Sequence, residues 1–240
     1  MNPGMVRAYR LRCRCKPAEG HTIHRARMGE FSEASAPRGP ASAESMTQQW
    51  PDQVVFEGLS CDLICRAGGE LFDPCAHGLN PVRICTALDR GVLAHYRVDR
   101  RLWLDELALE HAPVGQGDKL PGAGQAPPIN GVEPQPCGHR VGNCHYLGLA
   151  LPIRFDGGLL IGDGGTIGRF PRGSPPPWAY VRLRELVFVD GDLLDAIDHS
   201  GIADALRDRD RLFHDADRAM SYPAAEEWRA AFCYDYGFSG

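Results

Sequence analysis

Lysine is almost missing from this chain: Lys16 and Lys119 stand against 24 arginines. That bias reflects GC-rich, bacterial coding rather than a chemical demand. Residues 1–45 carry eight basic and four acidic side chains, leaving 18 basic and 27 acidic on the remainder. An acidic body excludes the clustered positive charge that reads nucleic-acid phosphates. It suits a basic protein partner, and it also keeps a protein in solution. No apolar run approaches the roughly 18 residues of a membrane span; the longest, YLGLALPI (Tyr146 to Ile153), has the length of a strand. The first 45 residues hold no apolar core of about 7–15 residues, so no secretory signal is read there. Nine cysteines, an odd number, fit a reducing cytoplasm better than a disulfide framework. G-x-S-x-G is absent, and with it the nucleophile elbow that motif builds.

Residues 1–48 read as a disordered or wrongly started N-terminal extension, because they lack hydrophobic periodicity and Met46 opens a more natural beginning. Cys13 and Cys15 belong to it. From Gln53 the pattern becomes short and strand-like. QVVFEGLSCDLICRAG divides near Gly58, and VRICTAL, VLAHYRVD and LWLDELALE read as a meander with turns at Asp89-Arg90-Gly91 and Asp99-Arg100-Arg101. Leu102 and Leu104 alternate with Trp103 and Asp105, then Leu107 and Leu109 continue one residue out of phase, as a β-bulge would produce. Residues 112–144 are dense in Gly and Pro and read as a long loop. Strands return at HYLGLALPIRF, turning at Asp156-Gly157-Gly158 into LLIG, and at WAYVRLRELVFVDGDLLDAID. There Val181, Leu183, Val187 and Val189 can share a face, and Asp190-Gly191 signals a hairpin. Residues 201–240 are helix-like, with Ile202, Leu206 and Phe213 as an apolar stripe.

The order FEG, RGVLAHYRVDRRLWLDEL, PINGVEP, YLGLALPIRFDGGLLIG and PPWAYVRLRELVFVDGDLLDAIDHS, over about residues 54–200, resembles a family of small uncharacterised bacterial proteins. Its recurring pattern is F-x-G, I-N-G-V, F-D-G-G and E-L-x-F-x-x-G. These are hairpin and core signatures, so the resemblance implies a fold rather than a reaction. By analogy with small proteins encoded beside toxins, it implies an immunity-type binding role.

The richest set of ligand types is PCGHRVGNCHY, which puts Cys137, His139, Cys144 and His145 within nine residues. Structural zinc is usually held by two pairs separated by two to five residues. Cys137-x-His139 is closer than that, and Cys144 and His145 point apart in an extended chain. Cys61, Cys65, Cys75 and Cys85 form a second set, in which Cys61 and Cys65 read as small buried hydrophobes sharing one face. GDGGTIG (Gly162 to Gly168) runs into RFPRGSPPP rather than a helix, so it reads as a turn and not a phosphate cradle. Asp190, Asp192, Asp195 and Asp198 lack the spacing of a calcium loop. Asp105, Glu106, Glu110 and His111 crowd one strand end, as acid–base groups or as the charged rim of a hairpin.

The expectation is therefore a mainly β (α+β) fold, an antiparallel hairpin-built sheet or partly open barrel over residues 50–200, with a short, loosely attached helical C-terminus over 201–240. The expected function is a non-catalytic cytoplasmic protein-binding module of immunity type. Its acidic β surface would meet a basic protein through Tyr96, Trp103, Tyr146, Trp178 and Tyr180. No nucleic acid, membrane or cofactor enters this reading. The rival reading gives Cys137, His139, Cys144 and His145 to zinc, in a zinc-stabilised module or a metal-dependent enzyme.

Overall fold

The computed structural model describes residues 49–83, 85–112, 126–136, 141–167, 175–213 and 231–236, without the side chains of 209–213. The chain divides into Met1–Glu44 and Ser45–Gly240, and every described residue belongs to the second unit. Cys13, Cys15, Cys137 and His139 lie outside the described residues, as does the stretch 214–230.

One sheet dominates. Its strands are β1 (Gln53–Phe56), β2 (Leu59–Gly68), β3 (Val92–Val98), β4 (Leu102–Leu109), β5 (Gln135–Pro136), β6 (Cys144–Pro152), β7 (Gly157–Thr166), β8 (Tyr180–Val189) and β9 (Asp192–Asp198). A single-turn 3-10 helix (Pro177–Ala179) precedes β8, and α1 (Ser200–Phe213) follows β9. Across the sheet the order is β5-β6-β4-β3-β1-β2-β7-β8-β9. The chain is thus β-rich with a short helix near its C-terminus, as its alternating apolar pattern requires. Two-residue turns whose backbone twist matches the strands set the β1–β2 and β8–β9 hairpins: Glu57-Gly58 at φ 52° and 75°, and Asp190-Gly191 at φ 50° and 81°. The bulge read from the leucine phase is present. Tyr96 faces Leu104 and His95 faces Glu106, which leaves Asp105 without a partner in β3.

Four features depart from the sequence reading. The sheet is mixed, because β1 pairs with β3 in parallel. After the β1–β2 hairpin the chain leaves and returns on the far side of β1. Residues 82–88 are not a strand: Pro81 has no N–H to give a ladder and makes an isolated bridge to His111, and the stretch is held by scattered bonds such as Val82 N–H to the Glu110 carbonyl at 2.9 Å and Trp50 N–H to the Ala87 carbonyl at 2.8 Å. The turn at Asp156-Gly157 joins two strands that are not neighbours, since β6 pairs with β4 and β7 with β2. The first part of GDGGTIG is the end of β7, carried past Gly164 and Gly165 by a register shift.

The inner side of the sheet holds the main core. Leu102, Leu104, Leu107 and Leu109 of β4 are 0 % exposed and pack with Val54, Tyr96, Tyr146, Ile161 and Phe188. Ile129, within the Gly/Pro-rich stretch, inserts there too, and Asn130 ties that stretch to the Leu149 carbonyl at 2.7 Å. A smaller cluster covers the outer side of β7 and β8: Leu160 and Leu183 against Ala203 of α1 and Phe232. The described parts of the C-terminal region, the first half of α1 and the segment at Phe232, are therefore packed rather than loosely attached. Arg207 fastens α1 further, donating to the carbonyls of Trp178 and Tyr180 at 2.5 and 2.7 Å.

The sheet is open, but at one end its halves meet through backbone bonds. Leu102 N–H donates to Gly191 O at 2.9 Å, Gly191 N–H to Phe155 O at 2.9 Å, and Leu193 N–H to Arg100 O at 2.9 Å. The last of these occupies an outward donor of edge strand β9, and Ala196 N–H is taken by the Asp195 carboxylate at 2.9 Å. Gly191 is the pivot of this junction: its φ is 81°, and a Cβ there would stand 2.0 Å from the Ile153 carbonyl oxygen. Gly191→Ala is expected to destabilise the fold by about 2–3 kcal/mol, read as a fall of roughly 4–9 °C in the calorimetric Tm.

Candidate functional site

The five aromatic candidates separate by strand phase. Tyr96 shares the inner side of β3 with Ala94 and Val98, and Tyr146 shares the inner side of β6 with Cys144. Both are core residues, at 4 % and 0 % exposure, as is Tyr180 at 4 %. Burial corrects their contact role: Tyr96 and Tyr146 fall in phase with apolar neighbours, whereas Tyr180 is followed in phase by Arg182 and Arg184. The Tyr146 hydroxyl donates to Pro127 O at 2.7 Å and that of Tyr180 to Asp62 at 2.9 Å. Burial pushes all three phenols well above their ordinary range. Trp178 packs against the Leu160–Leu183 cluster. Of the five, only Trp103, out of phase with Leu102 and Leu104, stands on the outer side that no described element covers.

That outer side, across β1, β3, β4 and β6, is the candidate site. Cross-strand register lays its residues in two rows: Gln53, His95, Glu106 and Leu147, then Val55, Arg97, Trp103 and Pro152. Val55 and Leu147 are exposed. Trp103 is held by two contacts. The Arg97 guanidinium lies 5.4 Å from its ring centroid, a cation–π distance. Its indole N–H donates to Asp99 at 3.3 Å. Arg97 is itself fixed by Asp105 and Asp99, each at 2.7 Å. The backbone N–H of Arg101 foremost, then that of Arg100, the indole and Arg97 hold the Asp99 carboxyl below its ordinary value. The hairpin tip thus presents an aromatic plate whose rotamer is already set.

The bulge at Asp105 puts two consecutive acids, Asp105 and Glu106, on this face. Glu106 lies between two imidazoles, 3.9 Å from His95 and 3.7 Å from His145. His145 therefore faces outwards, while Cys144 is 0 % exposed in the main core. The two described members of the Cys/His set thus point to opposite sides of β6, so they do not share an ion. Among the described residues no group of three His, Cys, Asp or Glu side chains is arranged to hold a metal. Cys61 and Cys65 are also on opposite sides, because a bulge falls between Leu63 and Cys65. Glu110 and His111 leave the acid–base set as well, being buried just beyond the far end of β4.

Sequence reasoning passed over three buried carboxylates. Asp52 accepts from Arg90 at 2.7 Å and from Ala94 N–H at 2.9 Å. Asp163, on the inner side, accepts from Arg182 at 2.5 Å and Arg184 at 3.0 Å, and Arg184 stacks on Phe56 at 5.0 Å. Glu185, fully buried on the outer side of β8, meets His199 at 3.0 Å and the Tyr236 hydroxyl at 3.0 Å. A polar depression of about 290 Å³ beside Tyr180 is lined by Asp62 and Asp163. Both are engaged, Asp62 by Tyr180 and by Gln53 at 2.6 Å. These carboxylates are built as structural pairs. The signal available for Glu185 was its place between Leu183 and Val187 on one face.

No known protein family, no curated protein and no solved structure matches the chain. The resemblance traced through its hairpin motifs rests on those motifs.

Two measurements follow from the burial of these groups. Burial pushes the Cys61 thiol, beside Asp163, and the Cys65 thiol each up to about 11. At pH 8 both are expected to alkylate roughly two orders of magnitude more slowly than an ordinary exposed thiol. Exposed Cys75 and Cys85 serve as internal references in an iodoacetamide time course read by mass spectrometry. His111 accepts Asn80 N–H at Nδ1, 3.0 Å, and burial holds its pKa below the ordinary value. The folded state therefore binds fewer protons than the unfolded one, so this contribution is full above about pH 6.5 and is lost as pH falls. Burial raises Glu110, which acts oppositely and in a more acidic window. The urea midpoint is expected to fall between pH 7 and 5.5, and less so in His111→Gln.

Proposed function

We propose that this chain is a non-catalytic protein-binding module of immunity type, whose outer face of β1, β3, β4 and β6 takes a basic protein partner. One observation carries the reading: Trp103 is held by Arg97 and Asp99 on a sheet face that no described element covers. Interface anchors are enriched in Trp, and a fixed side chain loses little entropy on binding. Around it Val55 and Leu147 add apolar area, and Asp99, Asp105 and Glu106 supply an acidic rim. The acidic balance of the chain beyond residue 45 favours encounter with a positively charged surface. The outer side of β7 and β8, by contrast, is roofed by α1 and Phe232.

The products of the genes flanking this one, purified and titrated calorimetrically, test the proposal. A basic neighbour is expected to bind, and Trp103→Ala to weaken that binding about 30-fold, the loss of one hot spot of about 2 kcal/mol. Leu147→Asp should act in the same direction, with far-UV circular dichroism unchanged. A neighbour that binds both variants as tightly as the parent chain defeats this assignment.

A further inference from the structure

Asn130-Gly131 is the one Asn-Gly pair in the chain; Asn2 and Asn80 each precede proline, and Asn143 precedes Cys144. The pair forms a two-residue turn closed by reciprocal backbone bonds between Ile129 and Val132, at 3.1 and 2.8 Å. Both central residues take left-handed backbone, φ 48° and 76°, which suits Asn followed by Gly. The turn fastens residues 126–132 to the sheet. Ile129 is buried in the main core, and Asn130 Nδ2 donates to the carbonyls of Leu149 at 2.7 Å and Ala150 at 3.5 Å. Those carbonyls lie where β6 leaves regular pairing. The β4–β6 register shifts between Leu104 and Glu106, and Gly148 and Ala150 take φ 69° and 43°. The Tyr146 hydroxyl holds the same segment at Pro127 O, 2.7 Å.

We propose that Asn130 is a site of spontaneous deamidation, and that its conversion to aspartate and isoaspartate releases residues 126–132 from β6. The nucleophile is the Gly131 backbone nitrogen, which gives its proton to solvent base and attacks Asn130 Cγ. Ammonia leaves with a proton from water, and a five-membered imide closes. Water then opens the imide at either carbonyl, so that asparagine plus water become acid plus ammonia. Three observations favour attack here. No described residue accepts from the Gly131 N–H, both residues of the turn are exposed, and nothing stands within 4 Å of where a Gly131 Cβ would be. The Asn130 side chain must first leave Leu149, but one neutral hydrogen bond at an exposed turn delays this only about fivefold. The matching turn at Asp190-Gly191 is shielded. Its glycine N–H donates to Phe155 O at 2.9 Å, and its carboxylate is held by Arg154 at 2.7 Å. Prolines have no N–H to lose, which spares Asn2 and Asn80. Asn143 is bonded at both ends of its amide, accepting from His111 N–H at 2.8 Å and donating to His111 O at 3.0 Å. After reaction the Nδ2 donor is gone and an acid oxygen faces the Leu149 carbonyl, so the tie becomes a repulsion.

The test ages the full, folded chain well below its Tm at pH 8 and, in parallel, at pH 6. Tryptic mapping reads the asparagines separately, since the fragment of residues 120–140 holds Asn130 alone. A gain of one mass unit is expected in that fragment at pH 8, resolving into aspartate and isoaspartate forms. The gain should be slower at pH 6, because the attacking nitrogen must lose its proton. Fragments with Asn80 and Asn143 should stay unchanged. Asn130→Asp isolates the consequence: hydrogen exchange at the Ile129 and Val132 amides, followed by NMR, should be at least about tenfold faster than in the parent. Exchange in β8 should not move. An Asn130 that stays intact in the folded chain, or reacts no faster than Asn143, overturns the site. Unaltered exchange in Asn130→Asp overturns the release. If that variant does not fold, the aged parent chain supplies the same comparison, because its deamidated and intact fractions separate by ion exchange on the added charge.

Discussion

Because Asp105 has no partner opposite it in β3, the side chains of β4 keep their apolar residues inward on both halves of the strand. Without that extra residue, Leu107 and Leu109 would face water and Glu106 would face the core, since a one-residue slip reverses every later side chain. Two of the four β4 leucines at zero exposure, Leu107 and Leu109, depend on the bulge. So does the candidate face, where Asp105 fixes Arg97, Arg97 covers Trp103, and Glu106 is brought between His95 and His145. Core and surface of this half of the sheet are thus determined by one irregularity, in which the chain gives up one rung of ladder.

The other half relies on buried charge instead. Asp163 and Glu185 lie on opposite sides of adjacent strands and each gathers several donors. Asp163 ties β7 to the arginines of β8, whereas Glu185 ties the sheet to the C-terminal segment that packs on it. Such groups add little net stability compared with apolar replacements, but they specify one arrangement strongly, because a mispaired alternative would leave a charge unsatisfied.

Local features were legible from the residues. Glu57-Gly58 and Asp190-Gly191 mark their hairpins, and the leucine phase of β4 announces its bulge. The inward placement of Tyr96 was legible too, since it keeps step with Ala94 and Val98. What depends on distant pairing was not. Nothing near Gln53 reveals that β1 will lie parallel to β3, and nothing near Tyr146 places β6 beside β4. Arg182 and Arg184 look like solvent-facing charges until Asp163 arrives across the ladder from β7. Glu185 sits in phase with Leu183 and Val187, but what satisfies its charge was not legible, because three of its four partners lie 48 to 51 residues downstream. The Cys/His set misled for a simpler reason: adjacency in sequence places Cys144 and His145 on opposite sides of a strand.

The finish of strand β9 has a consequence for how this protein meets others. Its free margin would ordinarily invite another chain to zip alongside, but the Leu193 and Ala196 amides are already committed to Arg100 and Asp195. At the opposite border β5 is two residues long and ends in Pro136, which has no amide hydrogen to offer. Lateral growth of the sheet is thereby discouraged at both borders. Association is left to what the side chains present broadside, where fit and charge can discriminate between partners in a way that a bare backbone ribbon cannot.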